Sequence, residues 1–137
     1  IGIEQLKKLD GFNRRRAEIA TLLRTEFADL SKAGRIGLVD YDPVSRPAPF
    51  GFTVLCDSKA TRDAFRNHLD DAGVETRPVI CGNMVRQPAI AQLKHKVSGN
   101  LDGADRVMDC GIYWGTHPMM TDDDVLYIAH TVKGFFA

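Results

Sequence analysis

From Ile3 onward the apolar residues Leu6, Leu9, Phe12, Ile19, Leu23, Phe27 and Leu30 recur at helical intervals, with Arg14, Arg15, Arg16 and other charges between them. The pattern predicts one long helix that stops at Gly34. It exceeds the usual span of a globular helix and begins without an N-cap residue. Together with Ile instead of Met at position 1, this gives the expectation that the chain continues a longer protein. Ile36 to Val39 predicts a short strand, and Asp42-Pro43 through Pro49 a loop, by its Pro, Ser and Asp content. Aromatic and β-branched residues in Pro49 to Cys56 predict a second strand. Asp57-Ser58 ends that run and caps a helix with Ala60, Ala64, Phe65, Leu69 and Ala72 on one face, which stops at Gly73.

A strand through Val74 and Thr76 follows and ends at Pro78, whose missing N–H cannot serve a central ladder. Short helices are expected around Ala89 to Leu93 and from Asp102 to Cys110, with a polar loop at Ser98-Gly99-Asn100 between them. Gly111 is the expected stop of the second, before a short strand Ile112-Tyr113-Trp114 and a turn at Gly115-Thr116-His117-Pro118. Thr121 followed three residues later by Asp124 predicts a capping box, and the run Asp122-Asp123-Asp124 suits the positive end of a helix better than a metal site. The last helix should bury Val125, Ile128, Ala129, Val132 and Phe136. Helices can cover only one face of so small a sheet, so the order of elements predicts an α+β fold with a largely antiparallel sheet.

The chain of 137 residues suffices for one domain with a core of its own. Its 18 basic and 18 acidic residues are interspersed and give a formal charge of zero, so no electrostatic footprint for nucleic acid or an anionic membrane is present. No apolar run reaches transmembrane length, and the expected compartment is the cytoplasm. Cys56, Cys81 and Cys110 are widely spaced and suggest neither a disulfide framework nor zinc; His68, His95, His117 and His130 show no metal-ligand spacing, so no metal site is expected.

Candidate chemistry concentrates between Gly73 and Pro88. Gly82-Asn83 supplies a turn, and Arg77, Asn83, Arg86 and Gln87 place two guanidinium groups and two amides within a dozen residues. Such a set suits a phosphate or carboxylate, because guanidinium binds planar oxyanions in a bidentate way and amides donate beside it.

Three stretches then converge on one family. Ile1 to Phe12, Gly73 to Pro88 with Thr-Arg-Pro and Gly-Asn-x-x-Arg-Gln-Pro, and Gly111 to Asp124 with Gly-Thr-His-Pro and Thr-Asp-Asp resemble the carboxy-terminal domain of the DegT/StrS-type sugar aminotransferase family. Within it they look most like the CDP-4-keto-6-deoxyglucose 3-dehydrases of lipopolysaccharide O-antigen synthesis, because the commoner aminotransferases carry a His- and Tyr-containing run in place of Gly-Asn-x-x-Arg-Gln-Pro. The resemblance implies that residues 1–137 form the small domain of a fold-type-I PLP-dependent enzyme, beginning within the interdomain helix and packing on a large cofactor domain in a homodimer. It implies PLP or pyridoxamine phosphate (PMP) as cofactor, a nucleotide-sugar substrate, and in some members a [2Fe-2S] cluster with an iron–sulfur reductase. The catalytic His, or Lys in an aminotransferase, and the cluster ligands would precede residue 1, so this chain alone should be inactive. Substrate contacts are expected at Arg77, Asn83, Arg86, Gln87 and His117, and an exposed apolar face on the first helix where the large domain would sit. Two other readings stand beside the dehydrase: an aminotransferase on the same substrate class, and a free-standing, non-catalytic ligand-binding module.

Overall fold

A computed structural model describes residues 2–42, 44–45 and 47–137. Ile1, and Pro43 and Arg46 of the expected loop, lie outside the described residues. The long apolar repeat is helical as expected but is broken twice, giving α1 (Gly2–Leu6), α2 (Leu9–Glu26) and α3 (Ala28–Lys32). The first break falls at Lys7-Lys8 and the second at Phe27, which is fully buried. Strands β1 (Gly37–Leu38) and β2 (Gly51–Leu55) follow, then α4 (Lys59–Asp71), β3 (Thr76–Pro78), two 3₁₀ turns at Met84–Arg86 and Ile90–Gln92, α5 (Asp102–Cys110), β4 (Gly111–Gly115) and α6 (Asp122–Phe136).

The strands form one antiparallel sheet in the order β1-β2-β4-β3. Register puts Phe52 opposite Trp114 and Val54 opposite Ile112, and all four are buried. Alternation sends Thr53 and Tyr113 to the other face, where Arg77 of β3 stands opposite Tyr113. The buried face packs against Ile19, Leu23 and Phe27 from the first helical stretch, Phe65 and Leu69 of α4, and Val125, Ala129, Val132 and Phe136 of α6. All five apolar positions expected on the inner side of the last helix are buried. On α4 only Phe65 and Leu69 are; Ala60 and Ala64, expected on the same face, are exposed, because a methyl gains little from burial where larger neighbours already fill the contact.

The first helical stretch divides in two. Its later half is core, whereas Ile3, Leu6 and Leu9 are exposed, Ile3 by 75% and Leu6 by 68%. The expected apolar surface therefore exists over α1 and the first turn of α2 only.

Both helix starts with side-chain caps were legible. The Ser58 hydroxyl accepts from the Thr61 N–H at 3.1 Å. Thr121 and Asp124 complete a capping box, and Arg15 of α2 secures the same helix end by donating to the Met120 carbonyl at 2.7 Å and to Asp122 at 2.8 Å. Thr121→Ala should cost about 1 kcal/mol, measurable by urea unfolding. Hydrogen bonds from the Thr121 backbone and hydroxyl hold the Asp124 carboxyl below its ordinary range. A depressed folded value means that this contribution is complete above the unfolded carboxyl range, near ~3.9, and fades as pH falls through the lower folded one. Thr121→Ala should accordingly narrow its gap to the parent chain in acid.

Candidate functional site

Pairing between β3 and β4 runs only from Pro78↔Ile112 to Thr76↔Trp114. Past that point Gly73 to Glu75 and the residues Gly115 and His117 border a groove of about 480 Å³, a size ordinary for small-ligand sites. Phe50, Tyr113 and Tyr127 give it aromatic lining; Glu75, Arg77, His117 and Asp124 are its ionisable groups. Tyr113 lies across Gly51, where a Cβ would come within 2.4 Å of the ring, and meets Phe50 edge-on with centroids 5.8 Å apart. Arg77 is exposed and donates to Glu75 on its own strand side.

His117 is held by what precedes it. Thr116 is fully buried, its N–H donates to the Phe50 carbonyl at 3.0 Å, and its hydroxyl donates to the Pro49 carbonyl. The His117 Nδ1 accepts the Met119 N–H at 3.2 Å, which leaves Nε2 as the N–H of the neutral ring. His117 also borders a second groove of about 610 Å³ with Leu6, Leu9, Phe12, Arg16 and Met119.

The remaining sequence-selected residues lie elsewhere, in the 79–88 loop, and the structure engages each with an internal partner. Asn83 is buried, and its amide donates to Asp105 at 2.9 Å while accepting the Val85 N–H at 3.0 Å. Arg86 donates to Asp105 at 3.1 Å and to Asp109 at 3.0 Å. Gln87 donates to the Cys81 carbonyl at 2.8 Å. The hydrogen bond from Asn83, reinforced by Arg86, lowers the Asp105 carboxyl below its ordinary range, and Asp109 with Asp105 raises Arg86. So Arg77 and His117 share a groove; Asn83, Arg86 and Gln87 form a separate polar cluster. Sequence reasoning missed Tyr113, Tyr127, Asp105 and Asp109. Only the two aspartates carried a signal, standing one helical turn apart in a predicted helix.

No lysine borders the 480 Å³ groove, and its one arginine is paired with Glu75. With no amine to condense with an aldehyde and no free cation for a phosphate, these residues do not make a pyridoxal phosphate site by themselves. No thiol lines this groove: Cys56 is buried, which pushes it up to about 12, Cys110 is buried beside it with its carbonyl accepting the Cys56 N–H at 2.9 Å, and Cys81 is exposed in the 79–88 loop. Among the described residues no group of three or more His, Cys, Asp or Glu is placed to hold a metal, and no helix is long and apolar enough to cross a membrane.

This antiparallel sheet with helices on one face also occurs in a crystal structure of GDP-4-keto-6-deoxymannose-3-dehydratase with a trapped PLP-glutamate geminal diamine. The two superpose with a TM-score of 0.84 at 27% identity, over 96% of this chain and 33% of that one. The fold is thus that of one domain of a PLP-dependent enzyme. Residues 1–133 match the DegT/DnrJ/EryC1/StrS aminotransferase family, and the chain belongs to it. It is 30% identical to the lipopolysaccharide biosynthesis protein RfbH of Salmonella typhimurium, over 98% of this chain and 31% of that protein. It is 30% identical to the dTDP-4-dehydro-2,6-dideoxy-D-glucose 3-dehydratase of Saccharopolyspora spinosa, over 100% of this chain and 29% of that enzyme. The chain spans about a third of the length of the relatives it matches.

Proposed function

We propose that residues 1–137 are the C-terminal small domain of a cytoplasmic, PLP- or PMP-dependent nucleotide-sugar 3-dehydratase, beginning within the interdomain helix, and that the whole enzyme removes the C3 hydroxyl of CDP-4-keto-6-deoxyglucose for lipopolysaccharide sugars. The observation that carries the reaction class is the likeness of almost the whole chain to 3-dehydratases, with Gly-Asn-Met-Val-Arg-Gln-Pro in the loop after β3. The CDP nucleotide is carried over from the resemblance of the three stretches Ile1 to Phe12, Gly73 to Pro88 and Gly111 to Asp124. In this reading the small domain positions substrate. Arg77 exchanges its Glu75 partner for the diphosphate, and the His117 Nε2–H donates to a sugar or phosphate oxygen.

Aminotransfer to the same class of substrate is the second reading, favoured by the family's own membership. The two differ in product: a dehydratase loses the C3 hydroxyl, and an aminotransferase keeps it and gains a nitrogen at C4. The full-length enzyme should be offered the CDP-, dTDP- and GDP-linked 4-keto-6-deoxy sugars together with PMP, an amino-group donor and an iron–sulfur reductase as source of the two electrons that C3 deoxygenation consumes, with products read by mass spectrometry and NMR. Loss of the C3 oxygen with at least a tenfold preference for CDP is expected. An amino sugar overturns the dehydratase, and a dTDP or GDP preference overturns the nucleotide. Arg77→Ala should raise KM about tenfold or more with a smaller change in kcat, since a charge-assisted bond to phosphate contributes about 1.5–3 kcal/mol. An unchanged KM removes Arg77 from the site.

A further inference from the structure

The loop after β3 is fastened to one face of α5 by three residues in helical register, Asp105, Met108 and Asp109. Gly82, at φ +50°, lays its backbone against Met108, where a Cβ would come within 2.5 Å of the Met108 Cβ. Asp105 accepts from both Asn83 and Arg86 on the same oxygen, and Asp109 accepts from the same Arg86 nitrogen, Nη1. Asn83 is 3% exposed and uses its own oxygen to cap the 3₁₀ turn at Met84–Arg86. One guanidinium between two carboxylates leaves a net charge of −1 here. A diphosphate approaching Arg86 would meet the repulsion of two aspartates that already share its Nη1, whereas a tether needs this arrangement as it stands.

We propose that Asp105 is a positioning residue of the substrate loop: through Asn83 and Arg86 it fixes residues 79–88 to α5, so these two motif residues shape the site and do not bind the phosphates. The inference rests on the substrate class proposed above. Because the carboxylate of Asp105 is held below its ordinary range, the tether persists at every pH near neutrality.

The test uses the full-length enzyme, with CDP as a competitive probe of the phosphate contacts and hydrogen exchange as a probe of the loop. Asp105→Ala should lower kcat at least tenfold and leave the CDP inhibition constant within twofold. Asn83→Ala should act alike, and the double variant should be no worse than the weaker single one within twofold, since both cut one tether. Asp105→Asn keeps an acceptor for Asn83 and should recover activity to within about threefold of the parent. Exchange in 79–88 should quicken in the alanine variants while α4 and α6 are unchanged, a result a general loss of folding would not give. If Asp105→Ala does not fold, Asp109→Ala carries the test, because it removes one of the two carboxylates to which Arg86 donates. An unchanged CDP constant supports the tether; several-fold tighter CDP binding makes Arg86 a phosphate ligand and overturns it. Multiplying losses in the double variant, or unaltered exchange in 79–88, also overturn it. If the parent enzyme converts no nucleotide sugar, the functional reading fails on its own, and the exchange result still decides whether Asp105 holds the loop.

Discussion

Trp114→Ala is expected to cost about 4 kcal/mol, a large fraction of the roughly 5–15 kcal/mol by which a domain is stable. The indole is 1% exposed and is the largest fully buried side chain among the described residues. It touches aromatic partners from three different elements: Phe27 edge-on at 6.0 Å, Phe65 edge-on at 6.5 Å and Phe52 at 5.5 Å with a 33° tilt. Phe27 sits at the break between α2 and α3, Phe52 is on β2 and Phe65 on α4, so truncation removes the contact that joins all three. Collapse cannot close the gap, because β4 is held between β2 and β3 and its backbone cannot move inward without breaking one ladder. Trp114→Phe should lose far less, since a benzene ring keeps most of the volume and the edge-on contacts. Urea unfolding of both variants checks this. Equal losses would mean that the aromatic junction does not carry the core.

What the sequence could announce was local. The inner positions of α6, its capping box, the Ser58 cap and the end of β3 at Pro78 depend on residues within one or two turns of each other, and all stand as the pattern predicts. Nonlocal facts were hidden. Nothing in Gly51 to Leu55 or Gly111 to Gly115 says that they pair with each other and leave β3 on an edge; that follows from packing Phe52 and Trp114 under α2, α4 and α6. The break at Phe27 is likewise a tertiary choice, in which burying one phenyl ring outweighs continuing a helix.

The site shows the same division. Arg77, Asn83, Arg86 and Gln87 are close in sequence, which made them look like one oxyanion set. What separates them sits far along the chain: Asn83 and Arg86 meet Asp105, whereas Arg77 shares a groove with His117. Proximity in sequence identified the loop but could not separate the residues that face a ligand from those that hold the backbone. The polar side chains that decide it, on α5, read from sequence only as the solvated face of a short helix.

Gly111→Ala should destabilise the chain by about 2–3 kcal/mol and, in the full-length enzyme, reduce activity beyond what the lost stability explains. Gly111 was expected to stop α5, and it does: its φ of −83° and ψ of 140° are extended, and it turns α5 directly into β4 with no loop between. Conformation is therefore not why glycine is required; space is. A Cβ would lie 2.4 Å from the Val107 carbonyl oxygen, which accepts the Gly111 N–H, and 2.8 Å from a Val79 methyl. Val79 can rotate, but a helix carbonyl in its last turn moves only if α5 moves with it. Because Asp105 and Met108 are on that helix, the shift reaches the 79–88 loop, which Asn83 and Gly82 hold against them. Val79→Ala combined with Gly111→Ala separates the two contacts: it removes the methyl clash and leaves the carbonyl one. If the carbonyl dominates, the double variant recovers little in urea unfolding. Near-complete recovery would place the strain on the Val79 side chain and free α5, and with it the loop, from the junction.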